Sequence, residues 1–255
     1  MATPSQSGVG GVCRERSVRL QALWRGDDIA PTRRSAFLAA SIISGHPLHI
    51  EQDIQLLDEG GIDLLHFDVM DGCFVPRLGL GPELVRAVRK VTEIPIDVHL
   101  MVADPERFIP VFAQAGADVI VIHAEATTQL PRLLALIRRR GARPGVALNP
   151  ATHPGILTYV LDDVDMVLLM TVNPGSTGER AMPASCRKIA DVRALLGESA
   201  NRIHIMIDGN VSLEYAPEMM QAGASVLVCG SSSIYDQDTN VRDALLAFRK
   251  SLNGQ

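Results

Sequence analysis

From Ala36 onward, short apolar runs rich in β-branched residues alternate with stretches whose apolar positions recur every three or four residues. The runs are Phe37–Ile43, Leu64–Val69, Ile96–Val102, Val119–His123, Arg143–Leu148, Met166–Thr171, Ile203–Asp208 and Val226–Gly230. Between them lie His49–Glu59, Pro82–Val91, Pro105–Ala115, Leu130–Arg140, Pro183–Leu196 and Tyr215–Ala222, and Val241–Leu252 follows the last run. The first set has the length and composition of buried strands, the second the 3.6-residue period of helices with one buried face. Pro82, Pro105 and Pro183 stand where a first-turn proline is tolerated, and Gly60, Gly116, Gly141 and Gly223 follow the expected helix ends. Such alternation predicts parallel βαβ units. No G-x-G-x-x-G follows the first run, which disfavours an open dinucleotide-binding sheet. Eight runs predict a single closed (β/α)8 TIM barrel over residues 35–255.

Residues 1–34 break the pattern. They mix Gly, Ser and Arg (SQSGVGGVCRERS) without a sustained apolar run, so they are expected to form a poorly ordered extension rather than a secretory signal. The chain has 255 residues, 47% of them hydrophobic, which suffices for one large core. A net charge of −5 provides no basic face for nucleic acid. No run reaches the roughly 18 apolar residues of a membrane span, so no membrane partner is expected. Cys13, Cys73, Cys186 and Cys229 are scattered without a C-x-x-C pair, as reduced thiols in a cytoplasmic protein would be.

In a barrel of this kind, chemistry belongs at the C-terminal ends of the strands, and ionisable residues collect there. Residues two apart on a strand share a face. That parity groups His66, Asp68 and Met70; Asp97, His99 and Met101; and His204, Met206 and Asp208. One histidine among apolar neighbours is more often a satisfied core residue than a ligand. Several ionisable groups converging on one barrel mouth are costly unless they pair or hold a cation. His66, Asp68, His99 and Asp208 are therefore predicted to hold one divalent metal ion. Two imidazoles and two carboxylates suit Zn²⁺ or Fe²⁺, with Mn²⁺ or Co²⁺ also compatible. Asp97 is either an outer partner orienting a ligand imidazole or a carboxylate satisfied by backbone.

Small residues follow the last three runs: Asn173-Pro174-Gly175-Ser176-Thr177-Gly178, Asp208-Gly209-Asn210 and Gly230-Ser231-Ser232-Ser233. Backbone N–H groups can approach an anion closely there, and the loops after strands seven and eight often bind phosphate in barrels.

Ser41 in ASIIS, together with HFDVMDGCFVP, DVHLMV, AGAD, HAEAT, LNPAT, LDDVDMVLLMTVNPG, IDGNV and GSSSIY, carries a resemblance. From about Ser35 to Leu252 the chain resembles the ribulose-phosphate 3-epimerases. The resemblance implies a metal-dependent isomerase inverting C3 of a ketose phosphate, D-ribulose 5-phosphate to D-xylulose 5-phosphate by default. It implies a cis-enediolate intermediate, with Asp68 and Asp208 as both metal ligands and the acid/base pair. It also implies substrate contacts from Ser41 and His99, a thioether cluster of Met70, Met101 and Met170, and phosphate loops containing Gly175, Gly178, Gly209, Gly230 and Ser231. Ser176, Thr177 and Asn210 fall in those loops. The expected partners are a phosphorylated ketose and further copies of the chain.

The chain also departs from the family. Its usual N-P-G-F-G-G-Q is Asn173 to Glu179 here (NPGSTGE), its V-P-N is Val75-Pro76-Arg77, its D-G-G is Asp208-Gly209-Asn210, and Met206 stands where an acid or amide is common. A different phosphorylated ketose is therefore the nearest alternative. A metal-dependent hydrolase would be expected to carry an H-x-H pair on the first strand, which Ala39–Ile43 lacks, and a non-catalytic barrel sits poorly with four retained ligands.

Overall fold

A computed structural model describes residues 16, 18–24, 36–235 and 239–254. Eight parallel strands close into a barrel in chain order. They are β1 (Phe37–Ser41), β2 (Leu64–Met70), β3 (Ile96–Met101), β4 (Val119–His123), β5 (Arg143–Leu148), β6 (Met166–Met170), β7 (His204–Asp208) and β8 (Val226–Cys229). Helices α1 (Ile50–Glu59), α2 (Pro82–Val88), α3 (Pro105–Ala115), α4 (Leu130–Arg139), α5 (Ser185–Leu196), α6 (Ala216–Ala222) and α7 (Val241–Asn253) surround it. Between β5 and β6, where the sequence has no helical period, two 3₁₀ turns (Pro154–Leu157 and Leu161–Asp163) make the crossover.

Three element ends differ from the pattern by two residues or more. α2 stops at Val88 rather than Val91. β1 stops at Ser41 because Ile42–Ser44 tightens into a 3₁₀ turn, closed by the Gly45 N–H on the Ile42 carbonyl at 3.2 Å. α5 begins at Ser185, two residues after Pro183. The Met182 N–H is held on the Thr171 carbonyl at 2.9 Å, which draws the chain to the end of β6 before the helix can start.

The period of two sorts the strand residues into two cores. Leu38, Ala40, Phe67, Ile120, Ile122, Val167, Leu169, Ile205 and Leu227 point outward and pack against the helices. Ala39, Leu64, Val119, Val121, Ala147, Met166, Leu168, Met206 and Val226 point inward and fill the barrel. Burying a large aliphatic side chain is worth roughly 1.5–3 kcal/mol, so this alternation fixes strand register firmly. Inside, space is tight. A Cβ on Gly145 would lie 2.7 Å from a Val121 methyl.

Carboxylates at the N-terminal ends of the strands bind the floor together. Asp118 accepts from the Ile96 N–H at 2.9 Å and from Arg89 at 3.0 Å, and Asp63 accepts from the Leu38 N–H at 2.9 Å and from Arg249 at 2.9 Å. Most of the expected extension over residues 1–34 lies outside the described residues. The described part is helical over residues 18–23 and seals the floor. Leu23 is buried in the inner core, the Trp24 indole donates to the Asp165 carbonyl at 3.3 Å, and the Arg143 guanidinium sits 4.3 Å from the Trp24 ring centroid.

Candidate functional site

At the opposite, C-terminal end, register brings the chemistry to one level. Ser41 pairs with His66, Asp68 with His99, Met70 with Met101, and Met170 with Asp208. The end of β2 is held from outside by its own loop. The Leu80 N–H donates to the Asp68 carbonyl at 2.9 Å and the Gly79 N–H to the Met70 carbonyl at 3.1 Å. A Cβ on Gly79 would stand 2.5 Å from the Asp68 carbonyl oxygen, so only glycine lets the loop lie this close. The Asp71 carboxylate accepts from the N–H groups of Cys73, Phe74 and Ala103, which ties the loop after β2 to the loop after β3.

His66, Asp68, His99 and Asp208 converge, each offering one ligand-capable atom, with those atoms all within 4.8 Å of one another. The Asp68 Oδ1 lies 3.2 Å from His66 Nε2 and 3.3 Å from His99 Nδ1. The Asp208 Oδ2 lies 3.9 Å and 3.6 Å from the same two nitrogens. The Ser41 hydroxyl donates to the other Asp68 oxygen at 2.9 Å. Below them, Asp97 accepts from His66 Nδ1 at 2.6 Å rather than from backbone, and its Oδ1 has no partner among the described residues.

Two carboxylates packed this closely need positive charge, and among the described residues no Arg or Lys pairs with either. The imidazoles carry that charge in the absence of a cation. Burial opposes a charged His66, yet the Asp68 and Asp97 carboxylates overcome this and raise its pKa well above the ordinary range. For His99, burial is likewise outweighed by its contacts with Asp208 and Asp68, and its pKa is raised. Burial would push Asp68 up, but the two imidazoles hold it far below the usual carboxylate range. A divalent ion in place of those protons fits this donor set, because the nitrogens facing the carboxylates become lone pairs once deprotonated.

Above the four groups opens a cleft continuous with solvent. Ser41, Asp68, Met70, Met101, Met170, Gly175, Ser176, Thr177, Gly178, Asp208, Gly209, Asn210, Gly230 and Ser231 all line it. His66 and His99 are fully buried beneath the carboxylates and do not reach it. His204 shares an inward face with Asp208 but sits at the floor, where it meets the Leu23 carbonyl instead. Met206 is an inner-core residue below Asp208. Asn210 keeps the left-handed backbone (φ 43°) that a glycine would adopt, a conformation asparagine tolerates better than most residues. Arg77 and Glu179 also line the cleft, and the Arg77 guanidinium donates to the Gly175 carbonyl at 3.3 Å.

Sequence reasoning missed a polar group behind His99. His123 Nε2 lies 2.9 Å from His99 Nε2, and His123 Nδ1 lies 3.2 Å from a Glu125 oxygen. The other Glu125 oxygen accepts from the Asn149 N–H at 2.8 Å and from the Thr152 hydroxyl. Burial pushes the His123 pKa down to about 4, and Glu125, despite partial burial, is held at about 2 by His123, Thr152 and Asn149. The signal was available, since the parity of β4 (Val119, Val121, His123) aims His123 inward at the strand end.

A closed barrel with a carboxylate pair, a ligand-competent histidine pair and small-residue loops at one mouth defines a TIM barrel with a metal-competent site at the C-terminal ends of its strands. Residues 37–235 match the ribulose-phosphate 3 epimerase family. The chain belongs to that family. It is 45% identical over 201 residues to the ribulose-phosphate 3-epimerase of Bacillus subtilis, covering 78% of this chain and 92% of that one. It is 42% identical over 206 residues to the Buchnera aphidicola (subsp. Schizaphis graminum) protein of the same name, covering 80% and 90%. Among solved structures, KGPDC from Streptococcus mutans superposes with a TM-score of 0.63 at 15% identity, covering 87% of this chain and 99% of that one, a likeness of fold.

Proposed function

We propose that this chain is a metal-dependent ketose-phosphate 3-epimerase that interconverts D-ribulose 5-phosphate and D-xylulose 5-phosphate. The observation that carries the reading is the pair Asp68 and Asp208. They come from β2 and β7 to one cleft, are partly accessible from it, and share the same two imidazoles. Inversion next to a ketone removes a proton from one face of C3 and returns one to the other. Two carboxylates that can each give or take a proton are suited to that task. The Ser41 hydroxyl, donating to Asp68, orients the carboxylate that handles one face. Met70, Met101 and Met170 line the cleft with apolar surface and limit water around a reactive enediolate. Gly175, Ser176, Thr177, Gly178, Gly209, Asn210, Gly230 and Ser231 offer N–H and hydroxyl donors to the phosphate. His66, Asp68, His99 and Asp208 would hold a divalent ion, Zn²⁺ or Fe²⁺ before Mn²⁺ or Co²⁺, which supplies the Lewis acidity that stabilises the developing oxyanion.

A second reading, a different phosphorylated ketose, is favoured by the exchanged rim residues Arg77, Ser176, Thr177 and Glu179, all of which face the cleft. One experiment addresses both. The purified chain is incubated with a panel of ketose phosphates in deuterated water, with and without chelator. Metal-dependent deuterium incorporation at C3 is expected, fastest for the true substrate. Absence of exchange with every sugar after metal loading would remove the epimerase reading. We further infer a cytoplasmic setting, supported by the free thiols of Cys73, Cys186 and Cys229, and a homo-oligomeric assembly.

A further inference from the structure

We propose that Glu125 is a positioning residue which, through His123, fixes the proton of His99 on Nε2 and so presents the bare Nδ1 to the metal. The inference rests on the metal-site reading above. It begins from a contact that admits only two proton arrangements. His123 Nε2 and His99 Nε2 face each other at 2.9 Å inside the barrel, where both rings are fully buried and meet edge to edge with their planes 28° apart. One nitrogen must donate and the other must accept.

Glu125 decides which. Its Oε1 is already occupied by two donors, the Asn149 N–H and the Thr152 hydroxyl, and its Oε2 faces His123 Nδ1 at 3.2 Å. An ionised carboxylate only accepts, so His123 carries its proton on Nδ1. A buried neutral imidazole then has a bare Nε2, which accepts from the His99 Nε2–H. The remaining His99 nitrogen, Nδ1, is the one 3.3 Å from Asp68 and 3.6 Å from Asp208. Asp97 does the equivalent work for His66 in one step, with the opposite result. It takes the Nδ1 proton at 2.6 Å and leaves Nε2 facing the same carboxylates. The two ligand histidines are thus presented through different nitrogens, each selected by a carboxylate outside the ligand set, as is common around bound metals.

The relay makes an unusual prediction for Glu125→Gln, a substitution of equal size. Asn149 N–H and Thr152 O–H both require an acceptor, so the amide oxygen takes the Oε1 place and the amide NH₂ turns toward His123. A donor there obliges His123 Nδ1 to accept, moves its proton to Nε2, and drives the His99 proton to Nδ1, where it blocks the metal. Thr152→Val is the structural control. It removes one anchor of Glu125 and leaves the carboxylate facing His123.

Two measurements on the full chain read the outcome: imidazole ¹⁵N shifts of His123 in the metal-free protein at alkaline pH, where His99 has lost the second proton of its charged form, and Zn²⁺ affinity by competition with a chromophoric chelator. Expected for Glu125→Gln are transfer of the His123 proton from Nδ1 to Nε2 and a Zn²⁺ affinity roughly 10–100-fold weaker. Thr152→Val should keep the proton on Nδ1 and stay within about threefold of the parent affinity. The relay is overturned, and the metal site kept, if the parent binds Zn²⁺ and Glu125→Gln leaves either the proton or the affinity unchanged. Equal weakening in both variants with an unmoved proton would also overturn it, because Glu125 would then act only as a loop tie. A parent chain that does not bind Zn²⁺ would overturn the metal reading and the positioning role with it.

Discussion

The Nε2 of His204 lies 2.6 Å from the backbone oxygen of Leu23, a contact that joins the N-terminal segment to the interior of β7 across 181 residues of sequence. His204 Nδ1 meets the Ser225 hydroxyl at 3.0 Å, and its ring is packed edge-on by Trp24 and Phe37. The floor of the barrel is closed by a segment that precedes the first strand.

If that segment is part of the core, Leu23→Ala should destabilise the chain by about 2–4 kcal/mol, as large-to-small changes in buried positions do. In a protein of this size that lowers Tm by roughly 5–15 °C. The catalytic mouth is at the other end of the barrel, so kcat at 25 °C should stay at the parent value. Urea unfolding and steady-state kinetics on one preparation test both halves. Unchanged stability would show that Leu23 is not docked in solution.

The same contact gives stability a pH dependence. Burial lowers the His204 pKa to about 4, whereas the unfolded chain has the ordinary value near 6.5. Between these values the unfolded state binds a proton that the native state refuses, so stability is full above pH 6.5 and declines as pH falls toward 4. The loss across that window should be on the order of 3 kcal/mol. His204→Gln retains a donor for the Leu23 carbonyl and removes the titration. Its unfolding free energy should therefore fall less steeply between pH 6.5 and 4 than that of the parent, measured by urea titration at each pH.

Much of the barrel was legible because its strands are buried on both faces and its helices on one, so hydrophobic period alone separated them. The metal-competent quartet was legible for a related reason. Strand parity carries His66, Asp68, His99 and Asp208 inward whatever the loops do. His204 obeys the same parity at the wrong end of the strand, and only the position along β7 distinguishes a floor residue from a mouth residue. The docking of Leu23 and Trp24 was not legible, because a short segment with no neighbouring strand gives no periodic signal. His123 was within reach of the parity rule, but the significance of Glu125 depends on hydrogen bonds from Asn149 and Thr152 in the next loop, which no local pattern reveals.

Glu179 should oppose substrate binding. It lines the cleft together with the loops expected to hold the phosphate, and an acid there repels a dianion. Glu179→Gln should lower KM for the ketose phosphate several-fold with kcat little changed, and the effect should shrink in high salt because exposed charges are screened. Arg77→Ala should act in the opposite sense. It removes a cation from the rim and the bond that steadies the Gly175 carbonyl, so KM should rise about three- to tenfold. Kinetics at low and high ionic strength check both.

The two aspartates should be separable by isotope. If Asp68 and Asp208 serve opposite faces of C3, then Asp68→Asn and Asp208→Asn each remove one proton carrier and keep an oxygen able to ligate. Epimerisation needs both carriers, so each variant should lose about 10²–10⁴-fold in kcat. Exchange with solvent needs only one carrier. In deuterated water, one variant should still wash deuterium into C3 of one epimer, and the other variant into C3 of the opposite epimer, without net inversion. NMR of each sugar over time distinguishes them, and Zn²⁺ content measured on the same samples shows that loss of metal is not the cause. Ser41→Ala provides a graded comparison. It removes the hydroxyl that donates to Asp68 at 2.9 Å, a bond to a charged group worth roughly 1.5–3 kcal/mol, and should slow only the face that Asp68 serves. Near-parent epimerisation by either Asn variant with metal bound would show that the proton is carried by another group.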